Sequence, residues 1–167
     1  MEHREAVLLQ NALCYEEGHP RRTQHILKVY ALAALLAEQE NLPREQRRVL
    51  GAAAILHDIA IRYCKEHCGG DACQENQQRW APVLVRQFLQ EAGYPDSDAP
   101  EVVDLVQHHH EYTRPKPLLQ LLVEADLLVN CYETQPDASA RRSIEGRFHT
   151  RTGIELFRAY KKTADSF

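Results

Sequence analysis

The sequence predicts an all-α fold, a bundle of about six to eight helices in a single domain. Helical periodicity, with apolar residues recurring at i, i+3, i+4 and i+7, runs through most of the 167 residues. Strand signals are nearly absent, because alternating runs, β-branched clusters and Asn-Gly turns are scarce. The apolar fraction of 44% and the charged fraction of 26% are typical of an ordinary globular chain, long enough to bury a core.

Caps, breakers and apolar stripes set the order of the elements. Predicted helices cover residues 3–17, 21–39, the stretch from Pro43 to His57, 75–92, the stretch opened by Asp98 and Pro100, and 118–133, with one or two more within 136–161. The stretch 62–74 contains Gly69-Gly70 and is predicted to be a loop. Pro115 and Pro117 separate the fifth helix from the sixth. The sixth is apolar almost all round, so it should be central.

Composition excludes several classes of protein. The net charge of −4 argues against a partner that is a nucleic-acid polymer. The N-terminal residues are charged at once, which is not typical of a secretory signal, and no uninterrupted apolar run is long enough to span a membrane. Five cysteines without an export signal indicate reduced thiols. The chain is therefore predicted to be cytoplasmic, and a homodimer is compatible with the exposed outer helices.

Polar side chains lie on stripes that should face the core. His25 continues the apolar stripe of the second predicted helix, and His57 ends that of the third. Asp126 sits in the most hydrophobic helix of the chain, and His109 and His110 follow the apolar positions of the fifth. Burial without a partner would disfavour all of these groups.

A divalent metal ion in the bundle would satisfy them together, with neutral imidazoles and ionised carboxylates as ligands. The adjacent His57 and Asp58 could both reach one ion, because the last turn of a helix need not hold both side chains in helical directions. The residues also leave other interpretations open. An inward His can be a hydrogen-bonded structural residue, and an Asp can cap another helix or pair with an arginine.

The pattern H…HD…D, formed by His25, His57-Asp58 and Asp126, resembles the HD superfamily of metal-dependent phosphohydrolases. The matching stretches are TQHILKVYALAALLAE, RRVLGAAAILHDIAI and LLQLLVEADLLVN, and the resemblance covers roughly residues 20–130. It implies an HD-type helical bundle for the whole chain, 1–167, with C-terminal helices at 136–161 outside the motif-bearing core.

The resemblance also implies roles for individual residues. His25, His57, Asp58 and Asp126 would bind one divalent transition metal ion, either Fe, Mn, Ni, Co or Zn, and leave positions for water and a phosphate oxygen. The ion would lower the pKa of its water and polarise the phosphoryl group. Asp58 and Asp126 are both candidates to orient or deprotonate that water, and their spacing does not separate the two roles.

The segment HHHEY at 108–112 resembles the His-rich segment that two-metal members use for a second ion. Periodicity selects His109 first and His110 second for that ion or for a phosphate contact. His109 could instead act as a catalytic donor to the phosphate or the leaving group. His108 shares a face with acidic residues and is predicted to be solvated.

Two positions depart from the family pattern. Trp80 stands where two-metal members usually have a further His, so one ion is predicted and a second is less favoured. Trp80 itself is interpreted as a packing residue rather than a base-stacking one. Ile61 stands where many relatives have a Lys that meets phosphate. The substrate phosphate is then left to four other cations: Arg62, Lys65, Arg79 and Arg114.

The loop 64–73 offers a separate metal hypothesis. Cys64, His67, Cys68 and Cys73 have the residue types of a structural zinc site, but paired CxxC knuckles are missing. Reduced, unrelated thiols are therefore the favoured interpretation.

The predicted function is hydrolysis of a phosphomonoester or phosphoanhydride on a small, nucleotide-like substrate by metal-activated water. A cyclic-nucleotide phosphodiesterase is the nearest alternative, and a non-catalytic metal- or nucleotide-binding sensor is another. The third alternative is a purely structural helical adaptor. The diesterase branch with a GYP signature fits poorly, because Gly93-Tyr94-Pro95 precedes HHHE and is interpreted as a helix stop.

Overall fold

The computed structural model describes residues 2–114 and 116–164, and these residues form an all-α fold of nine helices. The predicted fold class is confirmed, and one helix more than expected is present. Pro115, predicted to act as a breaker, lies outside the described residues. The helices are α1 (His3–Tyr15), α2 (Pro20–Gln39), α3 (Arg44–Leu56), α4 (Ala60–His67), α5 (Gln74–Glu91), α6 (Ala99–His108), α7 (Pro117–Thr134), α8 (Ala138–Glu145) and α9 (Arg151–Ala164).

The extra helix is α4, which corrects the prediction of a loop over residues 62–74. It runs for eight residues directly after the HD pair and buries Ala60 and Cys64 against the core. The loop that follows is confined to the residues around Gly69-Gly70, both of which have positive φ. A helix of two turns has little periodicity to reveal it, and tertiary burial rather than intrinsic propensity holds it.

Helix α7 is the central element, as its nearly continuous apolar sequence predicts. It packs against α2, α3, α6 and α9 and is buried over most of its length. Two carboxylates, Glu124 and Asp126, lie buried in the middle of it. Within the described residues no helix combines the length and the apolar character that crossing a membrane needs.

Helix α3 approaches its neighbours closely because its inner residues are small. Ala52, Ala53 and Ala54 are completely buried, and α3 packs against α1, α2, α6 and α7. The Arg48 guanidinium of α3 forms two hydrogen bonds, of 2.6 and 2.9 Å, with the buried carboxylate of Asp98 at the start of α6. This bidentate pair fixes α6 relative to α3, and so fixes the His-rich segment at the end of α6.

The end of α5 confirms the interpretation of Gly93-Tyr94-Pro95 as a helix stop. Gly93 has φ of +73°, a left-handed conformation that favours glycine. The N–H groups of Gly93 and Tyr94 donate to the carbonyls of Gln90 and Leu89, which closes the helix. The tripeptide therefore ends a helix in this chain.

Candidate metal centre

Three helices bring polar side chains to one point beside the core. His25 lies on α2, Asp126 lies on α7, and His57 and Asp58 directly follow α3. Helix α3 ends at Leu56, and the chain then turns over residues 57–59, so both neighbouring side chains can face the same point. The apolar stripes of the sequence predict this convergence, because each of His25, His57 and Asp126 continues an inward face.

The ligand-type atoms lie at metal-site distances from one another. The Nε2 atom of His25 is 3.2 Å from Nε2 of His57 and 3.1 Å from Oδ1 of Asp126. The Oδ2 atom of Asp58 is 3.5 Å from His57 Nε2 and 3.9 Å from His25 Nε2. Bonds of about 2.1 Å to one ion place neighbouring ligand atoms about 3 Å or slightly more apart, so these spacings are compatible with side chains that share a divalent ion.

Hydrogen bonds outside this cluster fix the two imidazoles. His57 is 2% exposed, and its Nδ1–H donates to the Ala54 carbonyl at 2.8 Å. His25 Nδ1 is 3.1 Å from the Glu133 carboxylate, which also accepts a 3.0 Å hydrogen bond from Lys28. Both rings therefore direct Nε2 to the cluster, the arrangement usual for metal-binding histidines.

Asp126 is fixed in the same way. Its side chain is almost fully buried, and Oδ1 accepts a 2.9 Å hydrogen bond from Asn130 one turn later on α7. The side chain of Asp58 is less enclosed, with 23% of its surface exposed against 6% for Asp126. The two carboxylates thus differ in access to solvent, a difference that their spacing in the sequence did not reveal.

The imidazoles and carboxylates of the cluster shift one another's pKa values. Burial opposes a charge on His57, but the carboxylates of Asp58 and Asp126 outweigh it and raise the pKa of His57 to about 9. Burial alone would raise the pKa of both carboxyl groups. The imidazoles of His57 and His109 instead hold the pKa of Asp58 well below its ordinary value, and hydrogen bonding to His25 lowers that of Asp126. A proton on imidazole thus balances the carboxylates.

Metal binding should therefore weaken as the pH falls. With a pKa of about 9, His57 is mostly protonated at neutral pH and must release that proton to become a ligand, whereas the two carboxyl groups are already ionised. We expect the apparent association constant for Mn²⁺ to drop about tenfold per pH unit between pH 8 and pH 6. Calorimetric titrations in two buffers with different ionisation enthalpies measure the protons released, and binding without proton release would contradict this expectation.

A second group of ligand-type side chains lies beside the first. Among the described residues, Asp58, His109 and His110 bring three ligand-type atoms within 4.8 Å of one another, as His25, His57 and Asp58 do. His109 is buried, its Nδ1–H donates to the Val106 carbonyl at 2.7 Å, and its Nε2 is 3.7 Å from Asp58 Oδ1. His108 instead contacts Asp104 and Glu111, at 3.5 and 2.9 Å. The structure thus separates His109 and His110 from His108, as periodicity predicts.

The side chains of His25, Asp58 and Asp126 line a cavity of about 280 Å³. Besides His25, Asp58 and Asp126, its lining includes Arg21 and Arg22 from the first turn of α2. The Arg22 guanidinium is fixed by a 2.6 Å hydrogen bond to Glu16, a carboxylate that is 1% exposed. The cavity therefore combines a candidate metal cluster with two arginine side chains, of which Arg22 is paired with a carboxylate.

The four cations predicted to contact phosphate lie outside the lining of this cavity. Arg62 donates to the carbonyls of Tyr15 and Glu17 at the end of α1 and pairs with Glu66 at 2.8 Å, so its guanidinium caps a helix. Lys65 is exposed on α4. Ile61, three residues after the HD pair, does line the cavity.

Arg79 and Arg114 are also engaged elsewhere. Arg79 has an exposed side chain beside Glu75 on the outer face of α5. Arg114 donates to Asp104 at 2.9 Å. The roles of the four cations in substrate binding stay predictions, and the geometry favours the two arginines of α2 for that contact.

The cysteine-rich segment does not assemble a metal site in the described chain. Cys64 is buried on α4, whereas Cys73 is exposed, and neither belongs to a group with three ligand-type atoms within 4.8 Å. Burial raises the pKa of the Cys64 thiol to about 11, so this thiol is protonated at neutral pH. The interpretation as reduced thiols is the one that the geometry favours.

Trp80 packs at the surface, and a different residue of α5 reaches the site. The Trp80 ring lies 4.7 Å from that of Tyr63 on α4, measured between centroids. One turn earlier, Gln77 lines the cavity. The sequence held a signal for Gln77, because it lies four residues before buried Ala81 and eight before buried Val85. Asn130 and Glu133 carry the same kind of signal, at four and seven residues after Asp126.

The fold and the site together define a class: an all-α protein whose bundle holds a histidine–aspartate cluster of metal-binding type. A family model described as "HD domain" matches residues 22–131, which is more than half of the chain. The chain belongs to the HD domain family, whose members are generally metal-dependent hydrolases. Searches of curated proteins and of solved structures returned no match.

Proposed function

We propose that this chain is a metal-dependent phosphohydrolase that cleaves a phosphomonoester or phosphoanhydride of a small, nucleotide-like substrate. One observation carries the proposal. The cavity that is walled by His25, Asp58 and Asp126 is also lined by Arg21 and Arg22. Hydrolysis of a phosphate ester needs both kinds of group, a metal site beside the reacting phosphorus and cations for the phosphate oxygens.

The residues present fit a divalent metal ion. His25, His57, Asp58 and Asp126 would hold it, since their imidazole Nε2 atoms are already turned toward the carboxylates by Ala54 and Glu133. A set of two imidazoles and two carboxylates suits Mn²⁺, Fe²⁺, Co²⁺, Ni²⁺ or Zn²⁺. When bound, such an ion supplies Lewis acidity toward a phosphoryl oxygen and lowers the pKa of water.

The two aspartates take different parts in this proposal. Asp126 is buried and held by His25 and Asn130, so it serves as a fixed ligand. Asp58 is open to the cavity, so its carboxylate is the group placed to orient an attacking water and accept its proton. His109, 3.7 Å from Asp58 Oδ1, orients that carboxylate and is the candidate to donate to the phosphate or the leaving group.

The arginines of α2 bind the phosphate. Arg22 is held in place by buried Glu16, so its guanidinium is preorganised. Arg21 is exposed at the mouth of the cavity, and the first turn of a helix favours an anion through the helix dipole. Phosphate binding there would place the phosphorus beside the metal cluster.

Replacing Arg21 tests this contact without disturbing a buried pair. We expect Arg21→Gln to raise KM for a phosphomonoester about tenfold, the loss of roughly 1.4 kcal/mol, with a smaller change in kcat. Arg79→Gln, which removes an exposed guanidinium outside the cavity, is the matched control and should leave KM unchanged. Steady-state kinetics of both variants show whether an α2 arginine or the α5 arginine contacts the substrate phosphate.

The proposed function is tested by turnover of purified protein with added Mn²⁺. Nucleoside monophosphates and diphosphates, cyclic nucleotides and a generic phosphomonoester form the panel, with released phosphate or nucleoside as the readout. Activity on the non-cyclic compounds supports the proposal, whereas activity confined to cyclic nucleotides supports a phosphodiesterase. Saturable nucleotide binding without hydrolysis would indicate a non-catalytic sensor. Ile61 and Trp80 favour that alternative, because they stand at the two positions that depart from the family pattern. If the chain binds no metal and a chelator leaves its stability unchanged, it is a structural adaptor.

A further inference from the structure

Glu133 lies beside the metal cluster but is not one of its candidate ligands. It follows Asp126 by seven residues on α7, so the two side chains share a face of that helix, and both line the large cavity. The Glu133 side chain is only 13% exposed. Residue 133 also lies beyond residues 22–131, the region that matches the family model. Its role therefore has to be inferred from its contacts.

The two oxygens of the Glu133 carboxylate bind two different side chains of α2. Oε2 accepts a hydrogen bond from Nδ1 of His25 at 3.1 Å, and Oε1 accepts one from Nζ of Lys28 at 3.0 Å. His25 and Lys28 are three residues apart, so they project from the same side of α2. Because an ionised carboxylate only accepts, Nδ1 of His25 carries a hydrogen, and Nε2 is the ring atom directed to the cluster.

His57 and His109 are oriented in a different way. Each stands just after the end of a helix, and its Nδ1–H donates to the carbonyl of the residue three before it, Ala54 or Val106. Those partners are neutral and local in sequence. The partner of His25 is charged and lies on another helix, 108 residues away in the chain. The orientation of His25 therefore depends on the packing of α7 against α2 and on the carboxylate that α7 supplies.

We propose that Glu133 is a positioning residue of the metal centre, which fixes the tautomer and the ring plane of His25 and strengthens this imidazole as a metal ligand. A hydrogen bond to an anion is stronger than one to a neutral carbonyl, and it raises the basicity of the opposite ring nitrogen. Lys28, whose side chain is 48% exposed, holds the second oxygen, so the carboxylate keeps one orientation. The inference rests on the proposed function for the metal ion alone, and not for the substrate or for hydrolysis.

Removal of this carboxylate should weaken metal binding although no ligand is lost. We expect Glu133→Ala to lower the affinity for Zn²⁺ by about ten- to hundredfold, the usual effect of losing the partner of a metal-binding imidazole. Glu133→Gln retains an oxygen that accepts from His25 but has no charge, so its affinity should fall between those of Glu133→Ala and the wild type. Lys28→Met removes an exposed ion pair and leaves the His25 hydrogen bond, so its affinity should stay within about threefold of the wild type.

Two measurements on the same proteins test the inference. Competition titrations with a chromophoric chelator give the Zn²⁺ affinity, and ¹⁵N NMR spectra of the diamagnetic, Zn²⁺-loaded protein report the imidazole N–H groups. The wild type should show a slowly exchanging Nδ1–H signal for His25 and another for His57. In Glu133→Ala the His25 signal should be lost while the His57 signal persists, and Glu133→Gln should restore it. Glu145→Ala, which removes a carboxylate paired with Lys161 at 2.9 Å, is the matched control and should behave as wild type.

The outcomes separate this inference from the proposed function. Wild-type Zn²⁺ affinity in Glu133→Ala, or an unchanged His25 signal, overturns the role of Glu133. Equal losses of affinity in Lys28→Met and Glu133→Ala also overturn it, because the effect would then belong to the ion pair between α2 and α7. A chain that shows the expected pattern of Zn²⁺ binding but releases no phosphate with Mn²⁺ supports the role of Glu133 and sinks the proposed function. A wild-type chain that binds no metal ion sinks both.

Discussion

Asp126→Ala is expected to abolish retention of the principal metal ion and to lower kcat/KM by at least about 10³, a loss of roughly 4 kcal/mol of transition-state stabilisation. Asp126 is 4% exposed, and its Oδ1 lies 3.1 Å from His25 Nε2. The alanine removes one of two anionic ligands and leaves His25, His57 and Asn130 without the acceptor that they face.

Metal content by mass spectrometry and turnover with Mn²⁺ are measured on the same preparations. Asp96→Ala, which removes an exposed carboxylate outside the site, is the matched control. This variant should keep both its metal content and its turnover. Asp126→Asn retains the shape and hydrogen bonds of the side chain, so it separates loss of the ligand charge from loss of folding. Full metal occupancy in a folded Asp126→Ala protein would show that the cluster is not the metal site.

The large helices could be predicted from the sequence because their stripes are long and their ends carry breakers. The structure gives α2, α5 and α7 bounds within one residue of those predicted. Helix α4 could not be predicted, since two turns carry too little periodicity and Gly69-Gly70 lies just beyond. Its stability comes from burial of Ala60 and Cys64 and from the Arg62 contacts with α1, none of which is local in sequence.

The candidate ligands could be predicted because each is a polar residue in an apolar context. His25, His57 and Asp126 interrupt stripes that are otherwise hydrophobic, so their convergence follows once the helices pack. The phosphate-binding cations do not follow from the sequence in the same way. Closeness to the HD pair in sequence favours Arg62, yet its guanidinium turns toward the end of α1. Arg21 and Arg22 precede His25 by one turn and are carried with it into the site.

The carboxylates of α7 show how one helix serves both the site and the fold. Two residues along a helix correspond to a rotation of about 200°, so Glu124 and Asp126 face opposite sides. Glu124 is 0% exposed and accepts hydrogen bonds from the backbone N–H groups of His149 and Thr150, at 2.6 and 2.9 Å, just before α9. The Thr150 hydroxyl donates to its second oxygen. Glu124 thus caps α9 from another helix and ties the C-terminal segment to the helix that carries Asp126.

Gly153→Ala is expected to lower the free energy of unfolding by about 2–3 kcal/mol, because this cap leaves no room for a methyl group. A Cβ atom at Gly153 would lie 2.7 Å from the Glu124 carboxyl carbon and 2.9 Å from the Thr150 hydroxyl. Although the end of a glutamate side chain is usually free to move, this one is buried and bound to α9, so relief requires breaking the cap. In an open helix the same substitution would be favourable by about 1 kcal/mol. Gly146→Ala, where the structure has nothing within 4 Å of the added carbon, is the control and should be neutral in urea unfolding. Equal stability of the two variants would mean that Glu124 can leave α9 at little cost, and that α7 is held by its apolar faces alone.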